Sequence, residues 1–431
     1  MTQIAALDPA MPPHAQPTWP HARWIGMLDL EESVPDVGLK VEFVARHAEA
    51  YRDARVLVRC QRQPIAFVDA PIVDGRVLMR VPHSDECYRP AEPAVLPPIS
   101  VVVCTRDRPD QLADALQSIL SLDYPHYEVV VVDNAARTDA TAKVVERIND
   151  PRVRRVAEPV PGLSTARNTG LRVACHALVA FTDDDVVVDR HWLDGIVGGF
   201  ARSPRVSCVS GLVPSGELRT AAQAYFDKRV SWAVSLRPRL YDVSEPPPDQ
   251  PLFPFQIGRF GTGANFAVKR DRVLELGGFD EALGAGTAAQ GGEDLDLFFR
   301  VLTAGDLLAT EPSAIVWHRH RSDNEALLCQ ARGYGLGLGA WLTKVGLDPA
   351  HRRLAFKVMW RLVAGMVRRP FGSSLRTDVG YGAILTSLTL VRPDVPTSVG
   401  RTEVLAVLGG PRALWLGRRR RAQSRSTAVR G

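Results

Sequence analysis

Hydrophobic positions change their spacing twice along this chain, and each change predicts a different kind of structure. Between Trp24 and Val81, short β-favouring runs alternate with turn signals: Arg55-Val56-Leu57-Val58-Arg59, Ile65-Ala66-Phe67-Val68 and, past Asp74-Gly75, Val77-Leu78-Met79. That pattern predicts a small, mostly β unit. Four prolines between Pro90 and Pro98 predict a linker. Ile99 to Cys104 is then a near-continuous apolar run, as expected of a strand buried on both faces of a parallel sheet. Leu112, Ala115, Leu116, Ile119 and Leu120 follow at helical spacing.

The alternation continues. Strands are predicted over Glu128 to Val132, Val153 to Val156, Leu178 to Thr182 and Val206 to Gly211, and helices over Thr141 to Ile148 and Ser164 to Ala174. Strands alternating with helices imply an α/β fold with a doubly wound sheet, whose ligands bind outside the carboxyl ends of the strands. Beyond Asp323 the pattern is helical and interrupted. We therefore expect a flexible lead at residues 1–20, a β-rich unit at 21–90, the α/β domain at 97–320, a helical region at 321–417 and a basic tail at 418–431.

Charge adds one feature. The net charge of +5 is small for 431 residues, but Arg418 to Arg421 run together, with Arg425 and Arg430 behind them. Such a tail suits an anionic lipid surface, or serves as a solubilising end. The six cysteines are scattered without metal-ligand spacing, which predicts a reducing compartment and no structural zinc. The N-terminus has neither the basic nor the apolar region of a secretory signal. Leu354 to Val367 and Tyr381 to Val391 are too short or too charged to span a membrane. A cytoplasmic location is expected, with peripheral contact at the inner face of the membrane left open.

Polar clusters fall where the predicted strands end. The first strand runs into Thr105-Arg106-Asp107-Arg108-Pro109 and the second into Asp133-Asn134; such loops can contact a base and ribose, or be ordinary turns. Leu178 to Phe181 runs into Thr182-Asp183-Asp184-Asp185. Three adjacent carboxylates suit Mg²⁺ or Mn²⁺ with diphosphate oxygens, although a solvated acidic turn has the same composition. Gly291-Gly292-Glu293-Asp294 opens an apolar, helical run, where the acids would cap the helix or present a general base. His318 and His320 follow a strand and could add imidazole to a metal shell. Arg167 and Asn168, early in a helix, could meet phosphate.

In order, spacing and local context, these motifs resemble the inverting GT-A glycosyltransferases of family two, of the bacterial, non-processive type. The resemblance covers about Pro98 to His320. PISVVVCTRDRP is similar to the family's nucleotide-binding start, which places Thr105, Arg106 and Asp107 near base and ribose; VVVVDNA assigns Asp133 to the base. GLSTARNTG gives Arg167 and Asn168 a donor role. FTDDDVVVD resembles the DxD motif, with Asp183 and Asp184 toward the ribose or metal shell and Asp185 on the metal. GTGANFAVKR implies that Gly263, Ala264 and Asn265 line the sugar and acceptor pocket, and GGEDLDLFFR makes Asp294 the base and Glu293 its neighbour.

The resemblance further implies a GT-A sheet, a nucleotide-sugar donor with UDP preferred, a glycan or lipid-linked acceptor, and no nucleic-acid partner. The QxxRW motif of the processive branches is absent: Gln330-Ala331-Arg332 continues as Gly333-Tyr334. A dehydrogenase is disfavoured because the Thr105 to Gln111 loop has no glycine. A sugar nucleotidyltransferase would want a Gly-rich, cation-bearing loop there. An inactive sugar-nucleotide or glycan-binding protein on the same fold stays open.

Overall fold

A computed structural model of the chain describes residues 2–30, 38–81, 96–230, 232–233, 235–367 and 398–428. Residues 90–95 of the expected linker, Cys87, Tyr381 to Val391 and Arg430 lie outside the described residues. In chain order the N-terminal unit comprises β1 (Thr2–Leu7), β2 (Arg23–Leu30), β3 (Lys40–Ala45), β4 (Asp53–Cys60), β5 (Gln63–Val73) and β6 (Arg76–Arg80). They form a sheet ordered β1-β3-β6-β5-β4-β2. Its core gathers Trp24, Phe43, Val56, Val58 and Val77.

The lead expected to be flexible is instead partly sheet: Thr2–Leu7 pairs in parallel with β3. TQIAAL lacks the apolar-polar alternation of a strand, and the edge of β3 supplies its hydrogen-bond partners. This unit is anchored to the α/β domain by Arg59, which donates to Asp189 at 2.8 Å with both side chains 3% exposed.

The α/β domain runs β7 (Ile99–Thr105), α1 (Pro109–Leu120), β8 (Tyr127–Asn134), α2 (Ala140–Ile148), β9 (Val153–Glu158), α3 (Leu163–Val173), β10 (Leu178–Thr182), β11 (Val186–Val188), α4 (Trp192–Ala201), β12 (Val206–Leu212), α5 (Ala221–Arg229), β13 (Arg239–Tyr241), β14 (Asn265–Lys269), α6 (Arg270–Glu275), α7 (Glu293–Thr303) and β15 (Leu307–His318). The sheet order is β11-β15-β12-β14-β10-β7-β8-β9, with β13 also on β15. β9, β8, β7 and β10 are parallel, as are β12 and β15, while β14 is antiparallel between β10 and β12. This is the mostly parallel GT-A sheet, with apolar layers on both faces.

Register brings the polar strand ends together. Thr182 lies opposite Val103 on one side and Asn265 on the other, and Thr105 lies opposite Asp133. The loops after β7 and β10 and the one before β14 therefore open at one edge. Val186 pairs with His318, so the far end of β15 returns to Asp185.

Four helices follow: α8 (Asn324–Leu347), α9 (Pro349–Val367), α10 (Ser398–Val407) and α11 (Gly410–Ala428). Alternate residues of α8 are glycine from 333 to 339. Because positions i and i+4 share a helix face, Gly333 and Gly337 meet residues 290–292, while Gly335 and Gly339 meet α10 at Glu403 and Val407. A Cβ on Gly337 would lie 2.6 Å from the backbone of Gly291, so that contact needs glycine.

The expected basic tail is also corrected: Arg418 to Arg421 lie inside α11. Leu414 is buried against Ala282 and Leu283, and the Arg421 Nε lies 3.1 Å from Glu281.

Candidate functional site

A cavity of about 1020 Å³ opens at the convergent strand ends and extends under α8 and α9. Thr105, Arg106, Arg167, Asp183, Asp184, Asp185, Gly263, Ala264, Glu293, Asp294 and His318 all line it. At its inner end, one ligand atom each from Asp183, Asp185 and His318 lies within 4.8 Å of the others. Two carboxylates and an imidazole form a donor set that fits a divalent ion of the Mg²⁺ or Mn²⁺ type.

The acidic cluster is held by cations. The His318 Nε2 is 3.3 Å from the Asp185 carboxylate, and Arg321 and Arg108 each approach it at 3.5 Å. Burial alone would raise the Asp185 pKa, but His318, Arg321 and Arg108 outweigh it and hold this carboxyl below the usual range. Asp183 goes the other way, pushed up to about 6 by burial and by Asp185 against the pull of Arg167. Asp184 accepts from Thr105 at 2.7 Å and Arg108 at 2.9 Å, so it braces the loop after β7.

Arg167 links this cluster to the acids of α7. Its guanidinium is buried and donates to Glu293 at 3.0 Å, to the Gly263 carbonyl at 2.8 Å and to Asp183 at 3.4 Å. Burial and the neighbouring Asp294 push Glu293 up to about 7 despite Arg167. Asp294 is held differently. One carboxylate oxygen accepts the Gly263 N–H at 2.9 Å and the other accepts the Leu295 N–H at 2.8 Å, at the start of α7. Gly292, at φ 87°, makes the turn into that helix.

Truncating Arg167 would leave Glu293 uncompensated in the interior. Arg167→Met is expected to cost about 3–5 kcal/mol, read as a lowered urea midpoint. Arg167→Lys should recover only part of it, because an ammonium cannot reproduce the three-way fork.

Five residues assigned from sequence stand away from the cavity wall. Asn168 bonds the Phe279 backbone on both sides, accepting at 2.7 Å and donating at 2.9 Å. Asn265, fully buried, accepts from the Trp192 indole and donates to the carbonyls of Leu212 and Ala314; both asparagines fasten the scaffold instead of lining the pocket. Asp107 is clasped by Arg137 at 2.7 Å. Asp133 pairs with Arg155 at 3.0 Å, and its neighbour Asn134 lines the cavity.

His320 is the fifth. It falls outside the metal-ligand cluster, its Nδ1 lies 3.1 Å from the His318 Nδ1 and its ring packs on Phe226. Burial, then His318, hold its pKa well below the ordinary value, so it is a neutral partner to His318.

The sequence reading assigned no role to Arg108, Arg321, Gln256, Tyr334 or Trp341, which also line the cavity. Arg108 and Arg321 adjoin recognised motifs and could have been noticed there. Gln256, Tyr334 and Trp341 come from segments whose packing on the sheet no local pattern encodes.

Comparison with known proteins gives a consistent result. Residues 100–270 match the family described as Glycosyl transferase family 2. The pre-mycofactocin glycosyltransferase of Mycobacterium tuberculosis is 30% identical over 174 residues, 40% of this chain and 33% of the relative, so this chain spans about a third of that protein's length. The succinoglycan biosynthesis protein ExoM of Rhizobium meliloti is 30% identical over 253 residues, 57% of this chain and 71% of the relative. A solved mannosyltransferase from Pyrobaculum calidifontis, in complex with GDP-Man and Mn²⁺, aligns with a TM-score of 0.48 at 22% identity over 76% of this chain and 90% of that one. The chain belongs to glycosyl transferase family 2.

Proposed function

We propose that this protein transfers a glycosyl group from a nucleoside diphosphate sugar, a UDP-sugar being preferred, to an acceptor hydroxyl with inversion, in the synthesis of a cell-envelope glycan or glycolipid. The observation that carries this reading is the meeting, in one cavity, of the Asp183, Asp185 and His318 cluster with the Asp294 carboxylate, while Arg167 bonds Asp183 to Glu293, the neighbour of Asp294. A divalent ion held by those three side chains would supply positive charge to the departing diphosphate.

The chain's own groups do the rest. Arg108 and Arg321, already beside Asp185, add cationic character at the diphosphate end. The two backbone N–H groups on Asp294 fix its carboxylate, which accepts the acceptor's hydroxyl proton as that oxygen attacks the anomeric carbon. A single displacement from the face opposite the diphosphate inverts the anomeric centre and needs no covalent enzyme intermediate. Glu293 holds Arg167 and stays off the reacting atoms. The work would take place on the cytoplasmic side, where nucleotide sugars are available.

Incubation with Mn²⁺ or Mg²⁺ and a panel of nucleotide sugars, with and without chelator, tests the reading. Metal-dependent release of nucleoside diphosphate is expected, and binding without turnover on every donor and acceptor tried would favour an inactive sugar-nucleotide-binding protein. The two histidines should separate in the same assay. His318→Ala should raise the metal concentration for half-maximal activity by about 10- to 100-fold, whereas His320→Ala should have a smaller effect, through the orientation of His318. Equal, negligible effects would remove imidazole from the proposed shell.

A further inference from the structure

The helices at the outer end of the cavity carry a surface that glycosyl transfer does not explain. α9 lines the cavity with Arg352, Ala355, Val358 and Met359. Beside them Phe356 and Trp360, one turn apart, are 71% and 66% exposed, and Met359, which belongs to the rim, is 47% exposed. Arg353 and Lys357, also one turn apart, are exposed next to them. On α11 the Arg419 guanidinium sits 4.5 Å over the ring of exposed Trp415.

Charge selects the partner. Residues 349–431 contain sixteen Lys and Arg against three acids, whereas the whole chain has 53 against 48. The one acid of that stretch among the described residues, Glu403, is buried and bonded to Arg229. Large aromatic side chains in water are unfavourable, and so are clustered cations without acids. An anionic bilayer relieves both, taking rings into the headgroup boundary and meeting the cations with lipid phosphates. No described helix is long and apolar enough to cross a membrane, so the contact would lie in the surface plane.

We propose that the exposed face of α9 docks on an anionic lipid surface and so sets the cavity mouth against the bilayer. Leu342, which lines the cavity and is 44% exposed, and Met359 then form an apolar threshold between lipid and cavity. The acceptor hydroxyl would arrive on a lipid-anchored molecule; that consequence rests on the proposed transfer reaction, whereas the docking does not.

The full chain should co-sediment with vesicles of phosphatidylglycerol and phosphatidylcholine, and far less with phosphatidylcholine alone or at high salt. Phe356→Ser with Trp360→Ser should lower the partition more than about tenfold. Arg353→Glu with Lys357→Glu should lower it at least as much, since each basic residue near such a surface is worth about fivefold. All four side chains are exposed, and unchanged thermal melting would show both variants folded. Wild-type partition in both variants, or equal binding to uncharged vesicles, would overturn the proposal. So would light scattering in which the substitutions dissolve a dimer while vesicle binding persists, since the face would then belong to a second copy of the chain.

Discussion

Asp294→Asn is expected to keep the fold and the donor affinity while lowering kcat by two or more orders of magnitude, the scale of general-base removal. An asparagine carbonyl can still accept one of the backbone N–H groups now bonded to the carboxylate, so the start of α7 should survive. What disappears is the capacity to take a proton. Urea midpoint and donor titration should match the wild type while single-turnover rate falls. Turnover within a few fold of wild type would remove Asp294 from the mechanism and leave its carboxylate a helix-capping role.

Asp185→Ala is expected to abolish metal-dependent donor binding altogether. This carboxylate stands in the ligand cluster with Asp183 and His318 and also meets Arg321 and Arg108. Its removal takes away a metal ligand and leaves those cations without their shared acid, so higher metal concentrations should not restore activity. Titration calorimetry with Mn²⁺ and the preferred nucleotide sugar should give no measurable heat of binding. Donor affinity unchanged with metal present would contradict the assignment, because the cluster would then have no part in holding the diphosphate.

The two substitutions differ in a useful way. Loss of Asp294 should act on the chemical step, and loss of Asp185 on ground-state donor binding. A pair of variants that both raised KM alone would place both acids in binding and leave the cavity without a base.

Local pattern was enough to outline the sheet and to point to several residues that share the cavity. Apolar runs such as Ile99 to Cys104 can satisfy their surface only between two covered faces, and polar residues following such strands must emerge at the sheet's carboxyl edge. For that reason Thr105, Asp183 and Asp185 could be named together, although as many as 80 positions separate them, whereas Gly263 and Asp294 follow no such strand and joined them through the family resemblance. The helix start after Gly291-Gly292 was also legible, whereas the positive φ at which Gly292 enters it belongs to the folded turn.

Tertiary structure decided what each side chain faces. Asn168 and Asn265 lie within motifs that suggested ligand contact, yet their amides are consumed by Phe279, Trp192, Leu212 and Ala314. His318 and His320 are two residues apart and chemically alike, but pairing of Val186 with His318 puts one at Asp185 and turns the other onto Phe226. Thr2–Leu7 and Arg418 to Arg421 read as loose ends because the edge of β3 and the residues around Asp280, which order them, lie far away in sequence. A strand or helix pattern is carried by neighbours in the chain. Hydrogen-bond partners, charge compensation and the wall of a cavity are contributed by residues that meet only after folding.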